Sequence, residues 1–285
     1  MIVLGSGLSG CLASLMIPGS VIKEPLRETK HHNALLRFRS PQIGEYLGIP
    51  FKKVVVHKSI YHNGKHVNLS TKHIIRYSRK VSNQINARSI CNIAPVERWI
   101  APIDFHEQML KMCDIEYNVP ICQKYEKPTI STLPIFLFVK DLNIDNNISK
   151  IYVSKFNIEN CDIHLTNYIT DTKTAVYRAS ISGNELIMES TFKITREDVE
   201  YIKQSFGLDG IKLKIIVENF EQSNGKIAPL DEIARQYYVY ELTKNRNIYS
   251  LGRFATWRNI VLDDVFYDIK KIKGWINQTD YEKMI

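Results

Sequence analysis

The sequence holds 285 residues, of which 44% are hydrophobic and 24% charged, so it exceeds one small domain and is too apolar for a disordered chain. No apolar run is long enough to cross a bilayer, and we therefore expect no membrane partner and a cytoplasmic location. The net charge of +8 favours an anionic partner, either nucleic acid or a phosphorylated substrate.

The chain opens with an apolar strand that runs into a Gly-x-Gly-x-x-Gly turn, formed by Gly5, Gly7 and Gly10. In a dinucleotide-binding unit the first glycine permits the tight turn and the second lets the backbone approach the pyrophosphate, while the third lets the next helix pack closely. Leu8 and Ser9 then open a helix whose N–H groups face the phosphates. The turn therefore predicts a βαβ unit that binds a dinucleotide.

A second short strand, Val21-Ile22, ends at Glu24, where an acidic residue would hold a ribose hydroxyl of the dinucleotide. Pro18 ends the first helix after about two turns, which brings this acid unusually soon after the glycines. Glu28 is the alternative acid, although Pro25 before it favours a loop.

Basic residues dominate the next part of the chain. The alternation over 34–39 predicts a strand that brings Arg37 and Arg39 to one side, as candidates for binding an anion. Between Lys52 and Arg98 there are ten lysines and arginines and one acid, Glu97. This region is either a solvated basic face or a surface for DNA. Arg98 lies beside an aromatic residue and is a further candidate for contacting substrate.

The remaining elements follow from local signals. The predicted elements are a hairpin over 54–69 turning at Asn63-Gly64, a helix or helix-loop over 72–86, a helix from Asp104 to Cys113, strands at 117–121 and 129–134, an antiparallel sheet over 151–194, a helix over 196–206 with Thr195 and Asp198 as its capping box and Gly207 as its stop, a strand over 211–217, and a last helix over 263–275. The five cysteines and eight histidines show no metal-ligand spacing, so we expect reduced thiols and no metal site.

The segment 249–265 places Gly252-Arg253 at the end of a strand and Leu262-Asp263 at the start of the last helix. It resembles the closing flavin motif of the UDP-galactopyranose mutase and amine-oxidase-like flavoproteins, in which a strand ends in Gly-Arg and an Asn-Met-Asp-like turn starts the helix. The resemblance implies FAD as the cofactor, with Arg253 on its pyrophosphate. It also implies that the helix N terminus at Asp263-Asp264-Val265 is directed at the flavin ring.

Two interior strands extend this resemblance. The segment 130–134 resembles the family's strand that runs back to the cofactor. The segment 174–178 resembles its substrate-side strand, which makes Arg178 a candidate for binding an anionic substrate group. The chain departs from the family at His31-His32, before Asn33-Ala34, where the family has Gly-Gly, and it is short for a mutase.

Together these observations predict a mixed α/β fold, in which both termini form a Rossmann-like FAD-binding domain around an inserted antiparallel β-rich substrate domain. The predicted FAD-binding domain comprises 1–50, 104–135 and 240–285, and the substrate domain comprises 51–103 and 136–239. No catalytic side chain is identified.

The main functional hypothesis is an FAD-dependent, amine oxidase-like enzyme that transfers hydride from a C–N bond to flavin N5. Its substrate is a small anionic amine, or an amine carried on a nucleotide or on DNA, as in base hypermodification. One alternative is a redox-neutral enzyme like UDP-galactopyranose mutase that acts on a nucleotide sugar. The other is a flavin- or nucleic-acid-binding protein without turnover.

Overall fold

The computed structural model of the protein describes residues 1–29, 35–82, 85, 89–139, 148–159 and 161–282. The predicted departure at His31-His32 and Asn33-Ala34 lies outside these residues. The described strands are β1 (Ile2–Leu4), β2 (Val21–Glu24), β3 (Arg37–Phe38), β4 (Lys52–His62), β5 (Lys65–Val67), β6 (Val96–Ile100), β7 (Ile115–Tyr117), β8 (Thr129–Ser131), β9 (Ile148–Asn157), β10 (Ile163–Ile169), β11 (Val176–Gly183), β12 (Glu185–Ser190), β13 (Lys214–Ile227) and β14 (Ile248–Ser250). The described α-helices are α1 (Leu8–Met16), α2 (Gln42–Leu47), α3 (Thr71–Ser82), α4 (Phe105–Lys111), α5 (Arg196–Ser205), α6 (Glu232–Arg246), α7 (Arg253–Thr256) and α8 (Leu262–Glu282).

The first sheet is parallel throughout, with the strand order β14, β8, β1, β2, β7. Its strands read as short apolar runs because a parallel sheet is covered on both faces. α1 packs against α4 and α8, and these helices share one buried core with the sheet, which includes Val3, Leu12, Ile22, Met109 and Ile269. The predicted parallel βαβ start is confirmed.

The second sheet is mixed and has the order β13, β9, β12, β11, β10, β4, β6, β3, with β5 paired to β4. Only the β4–β10 pair along this path is parallel. Because side chains alternate along a strand, each face has its own core. Tyr61 and Met188 pack under α5 on one face, whereas Ile60 and Ile187 pack with Tyr77 of α3 on the other.

Several local predictions are confirmed. α1 ends at Met16, just before Pro18. The β4–β5 hairpin turns at Asn63 and Gly64, both with positive φ, at 51° and 83°. The Thr195 side chain accepts a hydrogen bond from Asp198 N, and the Asp198 carboxylate accepts one from Thr195 N, which completes the capping box. The mixed α/β class is therefore confirmed, while the domain boundaries stay a prediction.

Three predicted elements are wrong in detail. β7 ends at Tyr117, where the predicted strand begins, because Asn118 has a left-handed φ of 58° and turns the chain. β13 begins at Lys214, since Ile211 N donates to a turn carbonyl rather than to a neighbouring strand. Asp104 stands at the N-cap position of α4, but its carboxylate accepts from Gln108 Nε2 and does not cap the helix.

Within the described part of the chain, no helix combines the length and apolarity required to span a membrane. The five cysteines form no disulfide. Among the described side chains, no group of three or more His, Cys, Asp and Glu residues is placed to hold a metal ion.

Candidate functional site

The glycine turn between β1 and α1 needs glycine at two positions for the fold itself. Gly5 has φ of +92°, which side chains disfavour. A Cβ on Gly10 would lie 1.9 Å from Gly5 O, so only glycine lets α1 approach the turn. Gly7 differs, because its backbone is extended (φ −66°, ψ 173°) and a Cβ there would meet no atom within 4 Å. Glycine at position 7 keeps a space open that the fold does not fill.

α1 begins beside this space without a side-chain cap. Its N-cap residue is Gly7, which offers no side-chain acceptor, and the first turn of the helix holds no acidic residue. Uncapped N–H groups at a helix start, together with the positive end of the helix dipole, form a site for an anion.

The predicted ribose acid, Glu24, folds back onto the glycine turn. Its Oε2 atom accepts hydrogen bonds from Ser6 N at 2.7 Å and from Ser6 Oγ at 2.6 Å, and Oε1 accepts from Leu26 N at 3.1 Å. Ser6 Oγ is also 2.5 Å from Thr29 Oγ1, which in turn lies 3.1 Å from Tyr117 OH. Glu24 is therefore 5% exposed and holds the turn in shape in this structure.

The second predicted motif lies directly against the first. Leu251 N donates to Ser131 O at 2.8 Å, which extends the β14–β8 pairing up to Gly252. Gly252 has φ of +87°, and a Cβ on it would lie 2.9 Å from Ser9 Oγ. Both a left-handed backbone and a close neighbour thus require glycine here. The fold brings together the two glycine motifs from opposite ends of the sequence.

At the start of α8, the N–H groups available to a ligand are not all those that were predicted. Asp264 N and Val265 N both donate to Val261 O, at 3.0 and 3.2 Å, so neither is directed at a ligand. Leu262 and Asp263 are the first two residues of the helix, so their N–H groups have no acceptor within it. Asp263 Oδ1 accepts from Arg39 N at 2.9 Å, whereas its buried Oδ2 has no partner in the described part of the chain.

A cavity of about 760 Å³ connects these motifs to the second sheet. Its lining includes, from the termini, Gly7, Leu8, Ser9, Gly252, Arg253, Leu262, Asp263 and Val265, and, from the second sheet, Val56, Lys58, Thr166, Tyr168, Arg178, Ser180, Ile187 and Glu189. Of the other predicted site residues, Arg37 and Arg98 line it too, whereas Gly5, Gly10, Glu24, Arg39 and Asp264 do not. The cavity thus has one wall of turn backbone and one wall of strand side chains.

Arg178 lies in this cavity but its charge is already paired. Its Nη2 atom lies 2.5 Å from Glu189 Oε1 and 2.6 Å from Oε2, and Tyr177 OH also donates to this carboxylate. Burial alone would raise the pKa of Glu189, but the charges of Arg178 and Lys226 hold it at about 2. The predicted substrate anion would therefore compete with Glu189 for Arg178.

Arg253 lines the cavity and also donates one hydrogen bond to the backbone. Its Nη2 atom donates to Ile260 O at 3.2 Å, which ties the start of α7 to the loop before α8. Burial and the nearby charge of Arg178 lower the pKa of Arg253. The guanidinium is thus positioned in the cavity beside Gly252, where the resemblance predicts a pyrophosphate contact.

Arg37 and Arg39 do not act as a pair. β3 is only two residues long, and the chain turns away after Phe38. Arg37 donates to Thr166 Oγ1 and Ile181 O in the second sheet, whereas the guanidinium of Arg39 pairs with Asp264 Oδ2 at 2.7 Å. The expectation that both face one anion is wrong, because the two arginines bind different elements.

The predicted basic region does not form one continuous surface. Lys52, Lys53 and Lys58 bind Asp162, Glu97 and the Asn92 carbonyl, respectively. Lys80 donates to Asp171 O at 2.8 Å, and burial lowers its pKa to about 8. Lys72, Arg76 and Arg79 of α3 remain exposed.

Two groups in the lining were not predicted from the sequence. His106 of α4 is 6% exposed, and its Nε2 donates to Ser6 O at 3.0 Å. This hydrogen bond connects α4 to the glycine turn. Glu189 is the carboxylate that neutralises Arg178. No sequence motif marks either residue. The fold brings His106 near Ser6, and strand pairing brings Glu189 near Arg178.

No protein-family model matches the chain, and no curated protein matches its sequence. The structure is similar to that of an oxidoreductase from Methanosarcina mazei, with a TM-score of 0.54 at 10% identity over 96% of this chain and 99% of that chain. It is similar to a lesser degree to CtdE in complex with FAD and a substrate, with a TM-score of 0.45 at 10% identity over 90% of this chain and 76% of that chain. The first likeness supports a shared fold over nearly the whole length of both chains.

Proposed function

We propose that this chain binds FAD and is an FAD-dependent oxidoreductase. The observation that carries the proposal is the open space at Gly7, beside the uncapped start of α1 and opposite Gly252. Nothing in the fold itself requires a glycine at position 7. A bound pyrophosphate would require it, because a side chain there would occupy the pyrophosphate's place. The archaeal protein that shares the fold is itself described as an oxidoreductase.

The residues around this space fit a flavin dinucleotide. The N–H groups at the start of α1 would bind the pyrophosphate, and Arg253 would add a positive charge beside it. The two available N–H groups at the start of α8, from Leu262 and Asp263, would bind the electron-rich edge of the flavin ring. Asp263 Oδ2, buried and without a described partner, would accept a hydrogen bond from the cofactor.

FAD, when bound, supplies a ring that accepts a hydride. The chain's own contribution on the substrate side is a cavity wall of mixed character, with apolar Val56, Ile151 and Ile187 among charged side chains. An amine loses hydride only in its neutral form. Burial against this wall and the neighbouring arginines both disfavour an ammonium ion, so they favour the reactive form of an amine. The proposed reaction is therefore amine oxidase-like oxidation of a C–N bond.

The test is the visible spectrum of the purified protein, followed by release and mass identification of the chromophore. We expect a flavin spectrum, stoichiometric FAD, and bleaching when candidate amines are added without oxygen. A colourless protein that takes up no FAD from solution would overturn the proposal.

The same preparation distinguishes the two alternatives. A mutase-like enzyme would act on a nucleotide sugar only after its flavin is reduced, and it would consume no electrons. A protein without turnover would hold FAD that none of the amines or sugars reduces. Either result would replace the amine oxidase-like assignment while leaving FAD binding in place.

A DNA- or nucleotide-linked substrate is the more specific version of the proposal. It draws support from the exposed positive charges of Lys72, Arg76 and Arg79 on α3. Neutralising these three residues should abolish DNA binding in a salt-dependent assay. Unchanged binding by this variant, or no binding by the wild type, would refute the nucleic-acid partner.

A further inference from the structure

Three cations in the cavity wall have no acidic partner in the described part of the chain. Arg37, Lys58 and Arg98, which we call the cation cluster, all line the cavity. Among the described residues, Arg37 donates only to Thr166 Oγ1 and the Ile181 carbonyl, Lys58 to the Asn92 carbonyl, and Arg98 to the Glu97 carbonyl. Each is half-buried and has neutral acceptors where a carboxylate would offset its charge.

The strand register explains why these three residues meet. Lys58 of β4 lies directly opposite Thr166 of β10, and Arg37 Nη1 is 2.6 Å from the hydroxyl of the same threonine. Arg98 is on β6, which lies between β4 and β3 in the sheet. The three side chains are near enough for their charges to interact, because Arg98 and Arg37 both lower the pKa of Lys58.

Of the three acids among the described residues that line the cavity, two are paired with other cations, and the third stands in the wall formed by the two ends of the chain. Glu189 pairs with Arg178, Glu221 pairs with Lys150, and Asp263 accepts from the backbone of Arg39. The carboxylate of Glu97 forms a salt bridge with Lys53, with the two atoms 2.7 Å apart. The sheet therefore balances the charge of Arg178 but leaves the cation cluster without an anion from the described residues.

Two further observations show that this arrangement costs free energy. The Nε atom of Arg37 is buried and has no hydrogen-bond partner among the described residues. Burial and the neighbouring charge of Arg178 lower the pKa of Arg37 to about 10, and burial together with Arg98 and Arg37 lowers the pKa of Lys58. A bound anion would relieve both the unpaired donor and the mutual repulsion.

We propose that the cation cluster binds an oxyanion of the substrate, a carboxylate or a phosphate ester, at the end of the cavity formed by the second sheet. The proposal rests on the proposed function, because it gives the flavoenzyme a small anionic substrate held between the two walls. A small molecule is favoured over nucleic acid, since the cluster lies inside the cavity and is separate from the exposed cations of α3.

The experiment is calorimetric titration of the purified protein, whatever its FAD content, with two probes, phenyl phosphate and benzoate. Benzyl alcohol is the neutral control. We expect at least one anion to bind and the alcohol not to bind, and the tighter of the two anions identifies the oxyanion class. Because binding is read by heat, a colourless protein would overturn the proposed function and would still test this site.

Variants test whether the cation cluster is responsible for anion binding. Lys58→Gln and Arg98→Gln should each weaken binding of the anion about tenfold or more. Lys58→Arg, which keeps the charge, should retain most of the affinity, so it separates loss of charge from loss of folding. Lys53→Gln is the matched control, since it removes one charge from the opposite face of the same strand, and it should change the affinity less than twofold.

Three results would overturn the proposal. The first is that neither anion binds the wild type. The second is that Lys58→Gln and Arg98→Gln bind as tightly as Lys53→Gln. The third is that these variants lose FAD together with the anion, which would assign the cluster to the cofactor.

Discussion

The two walls of the cavity are built from different chemical groups. The wall formed by the chain's two ends presents backbone, from Gly7 and Gly252 and the starts of α1 and α8. The wall formed by the second sheet presents charged side chains, from Arg37, Lys58 and Arg178. The backbone wall leaves room for a ligand only where side chains are absent, whereas the side-chain wall can change its charge without altering the fold. On the proposed function, the first wall would hold the cofactor and the second the substrate.

The largest expected effect tests whether the backbone wall depends on glycine for folding. Gly10→Ala would place a Cβ 1.9 Å from Gly5 O, which no side-chain rotation can relieve. We expect the free energy of unfolding to fall by about 4 kcal/mol or more, measured by chemical denaturation. Gly274→Ala on α8, where a Cβ meets nothing within 4 Å, is the control. It should raise stability slightly, and an equal loss in both variants would contradict the argument.

The next effect tests the charge pairing of the side-chain wall. The pKa of Glu189 is held at about 2, below its ordinary 4.5, so its contribution is complete above pH 4.5 and is lost as pH falls towards 2. This contribution is roughly 3 kcal/mol. In Glu189→Gln, stability should be lower at pH 7 and should fall less steeply between pH 5 and 2 than in the wild type. Identical slopes in acid denaturation would rule out the pair as the cause.

A third effect separates the fold from the cofactor within the same wall. The Cβ of Gly7→Val would meet no atom within 4 Å and the backbone there is extended, so the protein should fold with little change in Tm. Its side chain would occupy the pyrophosphate position, and FAD affinity should fall at least about 100-fold, or about 2.7 kcal/mol. The measurement is FAD uptake by fluorescence, with Gly274→Ala as control. Stoichiometric FAD in Gly7→Val would refute the role of this glycine.

The smallest effect is a loss of stability that should leave both walls intact. Thr195→Ala removes the capping box of α5, which packs on the face of the second sheet away from the cavity. We expect a loss of about 1 kcal/mol in the free energy of unfolding. FAD uptake and anion binding should stay at wild-type values. A change in either ligand would mean that the far face of the sheet also shapes the site.

What could be predicted from the sequence is mostly what depends on neighbours along the chain. The turn at Gly5 and Gly10, the hairpin at Asn63-Gly64 and the capping box at Thr195 each follow from a short pattern with one geometric solution. The meeting of Gly252 with Ser9 required a family resemblance, since nothing local connects them.

The side-chain wall could not be predicted in the same way. Whether an arginine is available depends on a partner from another strand, and Glu189 for Arg178 is such a partner. Arg39 was expected beside Arg37 but pairs with Asp264, more than 200 positions away. Composition predicted an excess of positive charge, and only strand register decides which cations remain without an acid.

The pairing of β14 with β8, which brings Gly252 beside Ser9, also bears on the order of events during synthesis. β1 and the glycine turn leave the ribosome long before β14, which pairs with β8 at the edge of the first sheet. Until then β8 presents an unpaired edge, and a chain truncated ahead of Ile248 keeps that edge open to other chains. On the proposed function, cofactor uptake would wait for translation of the last helices, and prematurely terminated chains should aggregate rather than accumulate in soluble form.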